Sequence, residues 1–276
     1  MEIKKVFLCG GDKRSLYMAE YFKKQGYGVQ SFGYGEPGEN LGGIREADIT
    51  VLGLPAVKNG YVNMPLSDEK LSFSDLLSKC KKGSVTAGGR FTPKEYVEAE
   101  RVGICLKDYS ADEIFQVENA FYTAEGALSA LIGATDLSLN HMKILIAGSG
   151  RISKALCMAL NGFGSSLCVY ARSETERCRF AMQGIETLSA IGNLGEYDAI
   201  INTVPADIFP ESAIRSMNKN SVILDLSASP GYVDKKCCEK YNIKLLYLPG
   251  IPLSSAPQSA GITAAKAIER IVKQLR

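Results

Sequence analysis

Residues 142–173 read MKILIAGSGRISKALCMALNGFGSSLCVYARS, and this stretch decides the fold. An apolar run, Ile144 to Ala147, has the length of a buried parallel strand. A turn follows through Gly148, Ser149 and Gly150. An amphipathic segment then runs to about Gly162, with Ile152, Leu156, Ala159 and Leu160 at helical spacing. A second apolar run, Leu167 to Ala171, closes a strand–turn–helix–strand unit. Gly148 permits the tight turn, and Gly150, lacking a Cβ, lets the backbone approach a pyrophosphate. The helix beginning near Arg151 points its N–H groups and positive dipole end at that anion. Ser153 stands where a third glycine often does. The pattern predicts a dinucleotide site whose first contacts are Gly148, Ser149, Gly150, Arg151 and Ile152.

The end of the second strand selects the cofactor. An NAD site usually places Asp or Glu there to accept from the ribose hydroxyls. Here the residues are Tyr170, Ala171, Arg172 and Ser173. Arg172 pairs readily with a 2′-phosphate, Ser173 donates to it, and Arg177 adds charge one turn on. NADP is therefore expected in preference to NAD.

The first half repeats this layout. VFLCGGDKRSLYMAEYFKKQGYGV (residues 6–29) echoes ILIAGSGRISKALCMALNGFGSSL (residues 144–167), but Asp12 stands where Gly150 stands. A carboxylate there repels a pyrophosphate, which leaves the first half free to carry substrate. Strands are predicted at Val6–Cys9, Val29–Phe32, Ile49–Leu54, Val85–Ala87 and Ile104–Leu106. Helices alternate with them, which implies parallel pairing. Pro55–Ser67 is read as a loop. A long helix from Val117 to Ile132 links the halves, and His141, the single histidine, is assigned to a surface position in the connection. The expected architecture is α/β, two Rossmann-like domains with parallel sheets and an interdomain cleft. Residues 1–117 form an N-terminal substrate and catalytic domain, joined by a C-terminal helix over 257–276. Residues 118–256 form an NADP-binding Rossmann domain.

Composition excludes several classes. Of 276 residues, 32 are Lys or Arg and 30 Asp or Glu, a net charge of +2. Without a basic run, nucleic acid is not an expected partner. No apolar stretch of about 18 residues is present to span a bilayer. The start, MEIKKVFLCGG, runs straight into a strand and has no signal-peptide core, so a cytoplasmic protein is expected. The eight cysteines form no CxxC pair and read as reduced thiols. One histidine rules out a histidine-rich metal site.

Ligands of open α/β sheets bind at the carboxyl ends of strands. Three more loops of the second half lie there. NTVP contributes Thr203, Val204 and Pro205 beside the adenosine or ribose. DLSASPGY contributes Leu226 and Ser227 where the nicotinamide should lie. LPGIPLSSAPQSAG (residues 248–261) fixes an irregular backbone near the same face.

These motifs, with GGDKR at Gly10–Arg14 and NAFYTAEGAL at Asn119–Leu128, carry a family resemblance. The chain resembles the A-subunit family of dipicolinate synthases, from spore-forming bacteria, over essentially its whole length. It departs from the family pattern between Gly33 and Arg90, where it is short. The resemblance implies oxidation of a dihydrodipicolinate to dipicolinate with NADP as acceptor, and a separate, flavoprotein-like B subunit. Loss of a hydride and a proton makes the ring aromatic, so the protein mainly has to orient rings and bind carboxylates. A dianionic substrate needs donors, and Arg14, Asn119, Thr123, Ser227 and Ser229 are the candidates, with Asp12 alternatively orienting Arg14. Glu125 is the carboxylate placed to take a proton; a salt bridge on the helix surface is the competing reading. Asn119 and Thr123 share a helix face, and Glu125 lies about 200° further round than Thr123. Two other functions stay open: a shikimate- or hydroxyacid-dehydrogenase-like oxidoreductase, against which stands the lack of a positioned catalytic histidine, and a non-catalytic NADP(H) sensor. Homo-oligomerisation is left open.

Overall fold

The computed structural model describes residues 4–36, 38–228 and 230–274. It divides into two compact units, Met1–Asn119 with Ala256–Arg276, and Ala120–Ser255.

In the first unit the elements are β1 (Lys5–Cys9), α1 (Lys13–Lys24), β2 (Gly28–Phe32), β3 (Ile49–Leu52), β4 (Val57–Lys58), β5 (Tyr61–Val62), α2 (Phe73–Lys79), β6 (Val85–Gly88), α3 (Pro93–Arg101), β7 (Cys105–Asp108) and the start of α4 (Glu113–Ile132). The five long strands pair in parallel in the order β2-β1-β3-β6-β7. Successive side chains of a strand face opposite sides, and both sides are covered. Val6 and Leu8 enter one core with Met18, Phe22 and Ile268. Phe7 and Cys9 enter the other with Phe73, Leu76 and Leu106. That is why these strands read as unbroken apolar runs instead of alternating ones.

The segment expected to be a loop at Pro55–Ser67 contains a hairpin. β4 and β5 pair antiparallel, Val57 opposite Val62. Asn59 and Gly60 turn between them with φ of 53° and 81°, the two left-handed residues that a tight primed turn requires. The Asn-Gly pair was the available signal.

In the second unit the rest of α4 is followed by β8 (Lys143–Ala147), α5 (Arg151–Phe163), β9 (Ser166–Tyr170), α6 (Glu174–Ala181), β10 (Glu186–Leu188), β11 (Ala199–Asn202), α7 (Glu211–Arg215), β12 (Val222–Asp225), α8 (Lys235–Lys240), β13 (Lys244–Tyr247) and α9 (Pro252–Ser255). The six strands are parallel in the order β10-β9-β8-β11-β12-β13. Renumbered within the unit, this is 3-2-1-4-5-6, the order of dinucleotide-binding sheets, and its direction reverses between β8 and β11. Ile144 and Ile146 pack with Leu156 and Leu160 of α5; Leu145 and Ala147 pack with Ile200, Ile214 and Ile223 on the other side. Each fully buried aliphatic side chain contributes roughly 1.5–3 kcal/mol. His141 is exposed in a short 3-10 turn that feeds β8. It therefore belongs to the second unit and not to a connection between domains.

The last helix, α10 (Pro257–Lys273), packs on the first unit. It starts at Pro257, as the expected C-terminal helix over 257–276 does. A Cβ at Gly261 would lie 2.4 Å from the Arg14 carbonyl oxygen, so α10 meets α1 backbone to backbone. Glu269 accepts from the hydroxyls of Tyr21 and Tyr27, each at 3.0 Å. Arg270 donates to both oxygens of Asp112, at 2.5 and 3.1 Å, and this hydrogen bond holds the Asp112 carboxyl below its ordinary range. All eight cysteines are free thiols. Among the described residues no helix is long and apolar enough to cross a membrane.

Candidate cofactor site

The loop after β8 has two glycines with different jobs. Gly148 sits at φ +116°, and a Cβ there would lie 2.3 Å from Thr203 Oγ1. Its glycine is demanded by the fold. Gly150 has φ −78° and ψ −169°, extended backbone open to any residue, and nothing lies within 4 Å of where its Cβ would be. Its bareness leaves a cradle above the start of α5. That helix has no side-chain N-cap and no acidic residue in its first turn, so its positive end faces the cradle. Ser153, Leu156, Cys157 and Leu160 form its buried face, and Ser149 and Ile152 are half-buried at the loop. Arg151 and Gly150 are exposed.

The neighbouring strand ends are laced to this loop. Thr203 Oγ1 donates to the Ala147 carbonyl at 2.8 Å and lies 3.0 Å from Ser153 Oγ. The buried Asn202 amide donates to Asp225 Oδ1 at 2.9 Å, and its Oδ1 accepts from Val204 N at 3.0 Å. Asp225, 1% exposed, accepts from Ser227 N and Oγ through Oδ1, and from Tyr232 N and Val233 N through Oδ2. Leu226 N donates to the Asn202 carbonyl, and Leu248 N to that of Asp225, both at 2.9 Å. Asn202 and Asp225 thus hold the loops after β11 and β12. Neither was singled out in the sequence. The signal was a charged residue ending an apolar strand, VILD, in which burial forces it to find internal donors.

Ser227 requires a correction. Its hydroxyl donates to Asp225 Oδ1 at 2.6 Å and its N–H to the same oxygen at 3.1 Å. With both hydrogens spent, it positions the loop and does not donate to a substrate carboxylate. Ser229 lies outside the described residues. Val204 is half-buried, Pro205 exposed and Leu226 buried.

At the end of β9, Arg172 is exposed and its guanidinium has no partner among the described residues. Ser173 caps α6, its Oγ accepting from Glu176 N at 3.3 Å. Arg177 turns back, one nitrogen donating to the Ala171 and Arg172 carbonyls at 2.8 Å each. It shapes the turn that presents Arg172.

In the first unit Asp12 caps α1 as Gly150 caps α5. Its carboxylate fills the anion position: Oδ1 accepts from Arg14 N and Nε at 3.0 and 2.9 Å, and Oδ2 from Nη2 at 2.6 Å. Nη2 also donates to the Leu54 carbonyl at 2.8 Å. Burial opposes the Arg14 charge, and Asp12 more than offsets it, so the net shift is upward. Asp12 does orient Arg14, and most of Arg14's donors are committed to the protein.

α4 is helical from Glu113 to Ile132, so no irregularity brings Glu125 onto the face of Asn119 and Thr123. Asn119 is half-buried, Thr123 buried and Glu125 exposed. Glu125 has no ion-pair partner among the described residues. The boundary between the units falls between Asn119 and Ala120.

Fold and loop together define an α/β protein of Rossmann type. A D-lactate dehydrogenase from Treponema pallidum shares the fold, with a TM-score of 0.68 and 12% identity over 99% of this chain and 97% of that one. The dipicolinate synthase A chain of Bacillus subtilis is nearer in shape, with a TM-score of 0.87 and 24% identity over 100% and 97%. In sequence, the dipicolinate synthase A subunit of Bacillus subtilis (strain 168) is 25% identical over 288 residues, 99% of this chain and 97% of that protein. Residues 5–110 match the N-terminal domain of the dipicolinate synthase A subunit. Along its whole length the chain is thus similar to the A subunits of dipicolinate synthases, and the resemblance read from its motifs is borne out.

Proposed function

We propose that this chain is an NADP-dependent oxidoreductase that converts a dihydrodipicolinate to pyridine-2,6-dicarboxylate and works with a separate B subunit. The observation that carries the reading is the open terminus of α5 beneath Gly148–Gly150, in a chain matched end to end by a dipicolinate synthase A subunit. The residues fit the cofactor. The cradle over Gly150 takes the pyrophosphate, the strand ends at Thr203–Pro205 and Leu226 run beside it, and Arg172 stands where a 2′-phosphate would lie. Bound there, the nicotinamide supplies the hydride acceptor. The chain's own task is to bind two carboxylates and accept one proton. Asn119 and Thr123 stay the proposed donors on α4; Glu125, exposed about 200° further round the same regular helix, does not face a substrate held by them and is not proposed as its proton acceptor. The test is turnover of dihydrodipicolinate generated in situ, followed by the ultraviolet absorbance of the pyridine product, with and without the B subunit. Cofactor binding without product would leave the protein a nucleotide sensor.

Cofactor choice gives a sharper expectation. Arg172 offers the 2′-phosphate a charge-assisted hydrogen bond worth about 1.5–3 kcal/mol. NADP+ should therefore bind roughly ten- to a hundredfold more tightly than NAD+. Arg172→Asp should erase or invert that ratio. Equal affinities of the unmodified chain in titration calorimetry would refute the role of Arg172.

A further inference from the structure

The first unit has its own reversal of strand order, between β1 and β3, where ligands of open α/β sheets gather at the carboxyl ends. Arg90 emerges from β6, the neighbour of β3. Its φ is +59°, the left-handed region that an L side chain enters at a cost. The other described non-glycine residues with positive φ are Asn59 and Asn242, a residue type that tolerates it. Gly88 and Gly89 precede Arg90, so an unstrained glycine was within the local vocabulary and the chain has an arginine instead. A backbone outlier at a ligand-binding edge points to function.

The strained turn is held from several sides. Arg90 N donates to Asp108 Oδ2 at 3.0 Å and to Ser110 Oγ at 3.3 Å. Gly89 N donates to the Gly53 carbonyl at 3.0 Å, and a Cβ at Gly89 would lie 2.3 Å from Leu54 Cδ1. Leu54 is in turn fixed by Arg14 through its carbonyl. The backbone is locked, while the guanidinium is exposed and has no partner among the described residues. Arg14 is the reverse case, with three of its donors bound to Asp12 and Leu54.

We propose that Arg90 is the substrate-binding guanidinium of the first unit, taking one carboxylate of a rigid cyclic dicarboxylate, and that Arg14 is a positioning residue behind it. This rests on the oxidoreductase reading above. A planar fork suits a planar carboxylate, and an uncommitted guanidinium gives up no internal bond to take one.

The test uses the full chain, with pyridine-2,6-dicarboxylate and pyridine-2-carboxylate as probes in titration calorimetry. Arg90→Gln and Arg90→Gly should bind the diacid about ten to a hundred times more weakly than the unmodified chain. Arg90→Lys should fall between, because it keeps the charge and loses the fork. NADP+ affinity should not change in any of them. Arg90→Gly also removes the left-handed strain, so its melting temperature should not fall, whereas a merely structural arginine would lower it. Diacid affinity unchanged in Arg90→Gln and Arg90→Gly, with normal turnover, overturns the assignment and leaves the proposed function standing. If the unmodified chain binds neither acid and makes no product, the function reading fails and Arg90's role falls with it.

Discussion

Gly150→Val is expected to fold normally and to lose more than about a hundredfold in NADP+ affinity, over 2.7 kcal/mol. The two halves of this expectation have separate grounds. Folding survives because the backbone at Gly150 is extended, with ψ −169°, and no atom lies within 4 Å of the new Cβ. Losing a favourable N-cap residue costs only about 1 kcal/mol. Binding fails because the branched side chain occupies the space in which a pyrophosphate would meet the N–H groups of α5. Gly148→Val serves as the contrast. Its Cβ would collide with Thr203 Oγ1 at 2.3 Å, from a φ of +116°, so that variant should lose stability as well as binding. Thermal melting separates the two variants, and calorimetric titration with NADP+ measures the loss. A folded Gly150→Val chain with unchanged affinity would place the nucleotide elsewhere.

The first unit already contains a natural version of this block. Asp12 stands at the cap position that Gly150 holds, and its carboxylate binds the helix start and Arg14. One repeat of the layout keeps the helix end open, and the other fills it with its own anion. This contrast was visible in GGDKR against GSGRI, because a single residue between strand and helix decides whether an anion can enter. The parallel sheets were equally legible, since strands buried on both faces must be continuously apolar, as VFLC and ILIA are. What sequence could not give was the direction of the polar side chains. Ser227, Arg14 and Arg177 are all donors in loops of the right kind, yet each spends hydrogens on the protein itself. The deciding partners, Asp225, the Leu54 carbonyl and the Ala171 carbonyl, are brought by tertiary contact or a turn. The same holds for Arg90, whose interest lies in a backbone angle that no residue pattern announces.

Asp225→Ala carries the second large effect, on stability. The side chain is 1% exposed and accepts five hydrogen bonds, from Asn202 Nδ2, Ser227 N, Ser227 Oγ, Tyr232 N and Val233 N. Truncation orphans these donors in the interior, and each buried unsatisfied group costs about 1–3 kcal/mol. Some relax toward water, so a net loss of roughly 3 kcal/mol is expected, a fall in melting temperature of about 6–12 °C at 2–4 °C per kcal/mol. Asp225→Asn should fall between, because the amide keeps one acceptor oxygen and turns its NH2 toward other donors. Asn202→Ala should cost less: it removes one of the five bonds to the carboxylate and the acceptor of the Val204 N–H, and leaves the other four bonds to Asp225 in place. The double variant should lose less than the sum of the single ones, because Asn202 and Asp225 share a bond. Cofactor affinity should weaken in Asp225→Ala in parallel with stability, since the loop after β12 loses its anchor. A melting temperature for Asp225→Ala within 1–2 °C of the unmodified chain, about half a kcal/mol, would show that the strand ends of the second unit are held by packing and not by this carboxylate.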